Sequence, residues 1–129
     1  MRIEAYFQQL QVQIDNCPVV DSQSVSFTKR GSSLGFIRGD LLMADGSLLH
    51  FREFVDTEYT IDRKIYAYQY MSNRKQIVFR YDNSDHHHHL NLPTHPHHKH
   101  DGSEETIVAS TGPTLADVLT EIEPLVQLP

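Results

Sequence analysis

Residues 34–55 read LGFIRGDLLMADGSLLHFREFV, two alternating runs that meet at Asp45-Gly46. Successive side chains of a strand point to opposite faces, so residues two apart share a face. Ile37, Leu41 and Met43 therefore line one face of the first run, and Leu49, Phe51 and Val55 line the matching face of the second. Asp-Gly tolerates the positive backbone angles of a tight hairpin. The stretch predicts two antiparallel strands, 34–44 and 47–55, each apolar on one side and polar on the other.

The same period extends outward in both directions. Val25 and Phe27 alternate with polar residues over 22–29, and Arg30-Gly31-Ser32-Ser33 reads as the turn into the hairpin. Beyond it, 59–71 reads as a fourth strand and Ser72-Asn73-Arg74 as a turn. Residues 76–82 make a fifth strand, with Ile77, Phe79 and Tyr81 on one side. A short sixth strand fits 106–110. At the ends the period becomes helical. Ile3, Tyr6, Phe7, Leu10 and Ile14 form one stripe over 2–14, which Pro18 closes. Thr114 with Asp117 resembles a capping box opening a second helix, with Leu115, Val118, Leu119, Ile122 and Val126 as its stripe. Short connections imply neighbouring antiparallel strands. The expected fold is α+β: a five- to six-stranded antiparallel meander flanked by an N-terminal and a C-terminal helix that cover one face, in a single domain spanning 1–129.

Composition narrows the function classes. A chain of 129 residues with 39% hydrophobic content supports one modest core. No apolar run approaches the roughly 20 residues of a bilayer span. Residues 1–13 lack the charged start and apolar centre of a signal peptide, so a cytoplasmic location is expected. Cys17 is the only cysteine, which excludes an internal disulfide and a cysteine zinc cluster. A net charge of −6 opposes broad attraction to nucleic acid. The charge is uneven, because eight of the nine histidines crowd between His86 and His100, beside Lys99.

This histidine-rich loop, 83–103, has no periodicity and exceeds an ordinary connection; long loops in small domains usually carry function. It holds two clusters, His86 to His89 and His95-Pro96-His97-His98-Lys99-His100. An internal position and a second cluster argue against an expression tag. Histidine serves both acid–base chemistry and metal ligation. Glu53 shares the register of Leu49, Phe51 and Val55 and so points into their apolar face, where a carboxylate needs a partner or a task. Arg63, Arg80 and Arg38 are its candidate structural partners. Tyr66, Tyr68 and Tyr70 form a row that either stacks bases or walls a half-buried sheet. Arg80 and Asp82 share one side of strand five, opposite Tyr81, and Asp82 stands where a carboxylate can orient a histidine ring.

Four features together resemble the TumE-type toxin components of bacterial toxin–antitoxin pairs. They are Arg38-Gly39 before Asp45-Gly46-Ser47, then Glu53-Phe54, then Tyr66 and Tyr68 ahead of Arg80-Tyr81-Asp82-Asn83. The fourth is His86-His87 followed by Pro96-His97-His98-Lys99-His100. The resemblance covers roughly 22–126. It implies a small toxin encoded beside a DNA-binding antitoxin partner, acting on RNA or translation.

Two chemistries fit these residues. In the first, a metal-independent ribonuclease with no cofactor, His98 and His100 act as base and acid. Lys99 or Arg80 balances the phosphorane charge, and Glu53 or Asp82 orients a ring. Tyr66, Tyr68, Tyr81, His86 and His87 contact the substrate. This scheme places the imidazoles beside Glu53 at the rim of the sheet. In the second, His98, His100 and Glu104 hold a divalent transition metal such as zinc or nickel, because His98 and His100 share a face of an extended segment. A third reading is a non-catalytic interaction module whose loop orders against a partner.

Overall fold

The computed structural model describes residues 1–84, 97–103, 107–110 and 112–127, with 107–109 described through their backbone alone. In chain order these form α1 (Ile3–Asp15), β1 (Val20–Arg30), β2 (Leu34–Met43), β3 (Leu48–Asp56), β4 (Asp62–Met71), β5 (Ile77–Asp82), β6 (His98–Asp101), β7 (Ile107–Ala109) and α2 (Leu115–Ile122). A single 3₁₀ turn, Glu123–Leu125, follows α2. The strands make one antiparallel sheet in sequence order, β1 to β7. This is the expected α+β meander with one strand more than the five or six anticipated. The addition is β6, whose sequence His-Lys-His-Asp carries no apolar alternation to announce it.

The 34–55 hairpin forms with Leu42 opposite Leu48 and Ile37 opposite Glu53, and its loop is the three residues Ala44 to Gly46, one more than a two-residue Asp-Gly turn. Gly46 takes a φ of 86° at its tip. Alternation sorts most strand residues, but a register shift between Tyr70 and Met71 pairs Ile77 with Met71 and leaves Val78, not Ile77, packed against the core. Ile37, Leu41, Met43, Leu49, Phe51, Val55, Tyr66, Tyr68, Tyr70 and Phe79 are buried on one face. Both helices lie on that face. α1 presents Ile3, Tyr6, Leu10 and Ile14, and α2 presents Leu115, Val118, Leu119 and Ile122, so all these side chains share one core. The Thr114–Asp117 capping box is present in both directions and satisfies two N-terminal amides of α2.

Gly39 permits a close approach between neighbouring strands. A Cβ built there would lie 2.4 Å from the Phe51 ring on the neighbouring strand. Only a residue without a side chain lets that aromatic lie flat across β2.

The opposite face has a different character. Direct cross-strand partners Ser26, Arg38, Arg52, Ala67, Asp82 and His98 form one row from β1 to β6. Asp40, His50, Gln69, Arg80 and His100 form the row beside it. Phe36, Phe54 and Ile65 form a third. No described helix covers these rows.

Candidate functional site

Strand β6 builds the site. It places His98 directly opposite Asp82 and His100 directly opposite Arg80, all four on the face away from the helices. His98 Nε2 lies 2.8 Å from Asp82 Oδ1, and His100 Nε2 lies 3.3 Å from Oδ2. The two rings meet edge to face, 5.0 Å between centroids. Arg80 donates from Nε to Oδ2 at 3.0 Å and from Nη1 to Gln69 Oε1 at 3.1 Å. The Ser84 backbone N–H donates to Oδ1 at 3.0 Å. Asp82, His98 and His100 retain only 3%, 2% and 4% of their exposure. The Arg80 side chain, 27% exposed, is the part of the cluster that meets solvent. Burial works to raise the Asp82 carboxyl, but the Ser84 amide, the His98 ring and the Arg80 guanidinium outweigh it and hold Asp82 below the usual range. The carboxylate is thus kept ionised between two imidazoles.

Glu53 stands elsewhere. As its register requires, it points into the helix-covered core, where the Tyr6 hydroxyl of α1 donates to Oε1 and the Tyr68 hydroxyl donates to Oε2 at 2.5 Å. Burial raises the Glu53 carboxyl; the two tyrosine hydrogen bonds and Arg63 offset this only in part. Burial and the Glu53 charge raise the Tyr6 and Tyr68 hydroxyls in turn. Of the three arginines expected beside Glu53, only Arg63 shares its face, and it acts through Tyr68, donating to that hydroxyl at 3.0 Å. Its other bonds go to the carbonyls of Pro113 at 2.7 Å and Gly112 at 2.8 Å, and its guanidinium caps the Tyr66 ring at 4.5 Å. Simple alternation from Tyr66 would place Arg63 on the opposite face. A bulge between Phe54 and Val55, where the register jumps from Ile65 to Arg63, switches it into the core. No residue type in the sequence announces that bulge.

The sheet therefore divides the expected catalytic set. His98, His100, Asp82 and Arg80 gather on the face away from the helices. Glu53, Tyr66, Tyr68, Tyr81 and Lys99 lie on the helix face, so the imidazoles of His98 and His100 do not converge on Glu53. Lys99 donates to Glu121 Oε2 of α2 at 3.3 Å, and Tyr81 donates to Glu121 Oε1 at 2.6 Å. Burial would lower the Lys99 ammonium, but Tyr81 and Glu121 raise it above its ordinary value. Tyr66 meets the loop from the core side, its hydroxyl 2.7 Å from His97 Nδ1. Burial pushes that hydroxyl up to about 12. His86, His87 and Glu104 lie outside the described residues.

Fold and site together define a small α+β protein whose buried ionisable cluster is mounted on the side of a meander sheet away from the helices. The family model described as Toxin TumE matches residues 10–126, and the chain belongs to that family. Membership makes it the toxin component of a toxin–antitoxin pair, with a cognate antitoxin as its partner. No curated protein and no solved structure matches it. Among the described residues, no helix is long and apolar enough to cross a membrane.

Proposed function

We propose that this toxin acts on RNA, and that Asp82, His98, His100 and Arg80 form its cleavage centre. The observation that carries the reading is the convergence of two imidazoles on one ionised carboxylate, on the face away from the helices. RNA carries its own nucleophile, the 2′-hydroxyl. One imidazole takes the 2′-OH proton as the oxygen attacks the adjacent phosphorus. The other donates a proton to the departing 5′-oxygen, leaving a 2′,3′-cyclic phosphate and a 5′-hydroxyl. Asp82 orients the rings, and Arg80, the half-buried cation beside them, balances charge on the phosphorane oxygens. The test is induced expression of His98→Ala and His100→Ala in a bacterium with and without the antitoxin, following growth and RNA integrity. Both variants are expected to fold and to lose toxicity. Full growth arrest by both folded variants overturns the assignment.

A second reading is favoured by the donor atoms themselves. One ligand atom from each of Asp82, His98 and His100 lies within 4.8 Å of the others, and all three residues are buried. Two imidazole nitrogens and a carboxylate suit zinc, nickel or iron. In this arrangement Asp82 fills the carboxylate place that the sequence suggested for Glu104. Metal content of the purified protein and the effect of EDTA separate the two. Stoichiometric metal with EDTA-sensitive cleavage favours the metal centre, and metal-free, EDTA-insensitive cleavage favours acid–base catalysis.

A further inference from the structure

Outside the Asp82 cluster, the open face holds a second unusual arrangement. Arg38 on β2 and Arg52 on β3 are direct cross-strand partners, both exposed. Like charges placed opposite each other destabilise a sheet. Neither guanidinium has an ion pair or hydrogen bond among the described residues. The acid that follows on the same face, Asp40, is already engaged by His50 Nδ1 at 2.6 Å. In the adjoining row Phe36 and Phe54 stack with centroids 4.5 Å apart and 13° between planes. Phe36 remains 42% exposed, and Ile65 beside the pair 50%. Arg30 approaches the Phe36 ring at 5.6 Å. A shallow depression is lined by Arg30, Phe36, Arg38, Arg52, Phe54 and Ile65. Three arginines without an acidic partner among the described residues, on a chain of net charge −6, suit an anionic occupant.

We propose that this face of β1 to β4 is a track for single-stranded RNA, with Arg30, Arg38 and Arg52 holding phosphates and the Phe36–Phe54 pair stacking a base. The proposal rests on the reading of the toxin as acting on RNA, and names how its substrate is held. Aromatic platforms flanked by basic side chains bind single strands without strong sequence preference. The register supplies the route. Arg38, Arg52, Ala67, Asp82 and His98 are successive members of one row. Asp82 lies two strands from Arg52, about 10 Å at the usual strand spacing. Ala67, small and buried, stands between the exposed arginines and the cluster.

The test uses the whole protein and a fluorescent, mixed-sequence RNA 12-mer in which every 2′-hydroxyl is methylated, so that it binds without being cut. Binding is read by anisotropy across a salt series. The double variant Arg38→Gln with Arg52→Gln is expected to weaken binding at least 10-fold and to flatten the log–log salt slope by about 1.4, the value for two phosphate contacts to a single strand. Its unfolding midpoint should equal or exceed the wild type's, because the substitution relieves a repulsion. Phe36→Ala with Phe54→Ala should weaken binding at least fivefold with little change in salt slope. Arg74→Gln, in the exposed turn after β4, should change nothing. If the wild type cleaves RNA while the double arginine variant binds the 12-mer unchanged, the track is wrong and the functional reading stands. If the wild type neither binds nor cleaves RNA, the functional reading itself falls and takes the track with it. If the arginine variant keeps RNA affinity but no longer captures the co-expressed antitoxin, the face is a protein interface and the proposal is overturned.

Discussion

Asp82 and His98 are direct partners across β5 and β6, and the histidine brings Nε2 to within 2.8 Å of the carboxylate. Both residues are buried, and the charge of the Asp82 carboxylate is held by its protein neighbours. Replacing Asp82 with Asn keeps the shape and removes the charge. We expect Asp82→Asn to abolish toxicity while far-ultraviolet circular dichroism stays native. The pH response carries the sign. The folded carboxyl lies below its ordinary value of 3.8, so its stabilisation is present above that value and is lost as pH falls through the lowered one. The wild type should therefore lose stability on acidification below about pH 4, and the variant should show a shallower acid limb in urea melts. Retained toxicity in a folded variant would remove Asp82 from the centre.

Glu53 predicts the opposite slope. Its folded carboxyl lies above its ordinary value of 4.5, so between the two values the folded state holds a proton that the unfolded state has released. Stability attributable to this group is present below 4.5 and declines as pH rises through the raised value. In Glu53→Gln that decline should vanish, so the urea midpoints of the two proteins diverge as pH climbs from acid toward neutral. Parallel curves would show that the carboxyl ionises at its ordinary value.

Much of this architecture was legible in the chain. The period-two runs and the Asp45-Gly46 turn located five strands, and the helical stripes with the Thr114–Asp117 box located both helices, because these patterns are read from neighbours in sequence. Strand β6 escaped, since its pairing comes from β5 and not from its own residues. The separation of Lys99 from His98 and His100 was available in principle, as alternation sends it to the other face once the segment is extended. The inward turn of Arg63 was not available, because a bulge changes facing without changing composition.

Packing at Gly39 yields a direct test. A methyl group there meets the Phe51 ring, itself fully buried, so one of the two must move. Gly39→Ala should lower stability by about 1–3 kcal/mol, as overpacked core positions do. Phe51→Leu in the same chain should recover part of the loss, a coupling readable in a double-mutant cycle.

At the start of α2, the Thr114 side chain accepts from the Asp117 amide and the Asp117 carboxylate accepts from the Thr114 amide. Thr114→Ala should cost about 1 kcal/mol in chemical denaturation. Because Glu121 of the same helix holds Lys99 and Tyr81, the loss should also speed amide exchange in β6. Unchanged exchange there would show that the helix and the strand open independently.

The placement of β6 has a consequence for biosynthesis. Asp82 is translated before the segment 83–97, and its two imidazole neighbours only after it. Long closures of this kind are slow relative to local hairpins. A nascent chain can already pair β1 to β5 while no imidazole yet faces Asp82. The cluster of Asp82, His98 and His100 is therefore completed late in synthesis, after the strands that carry Asp82 can already have paired.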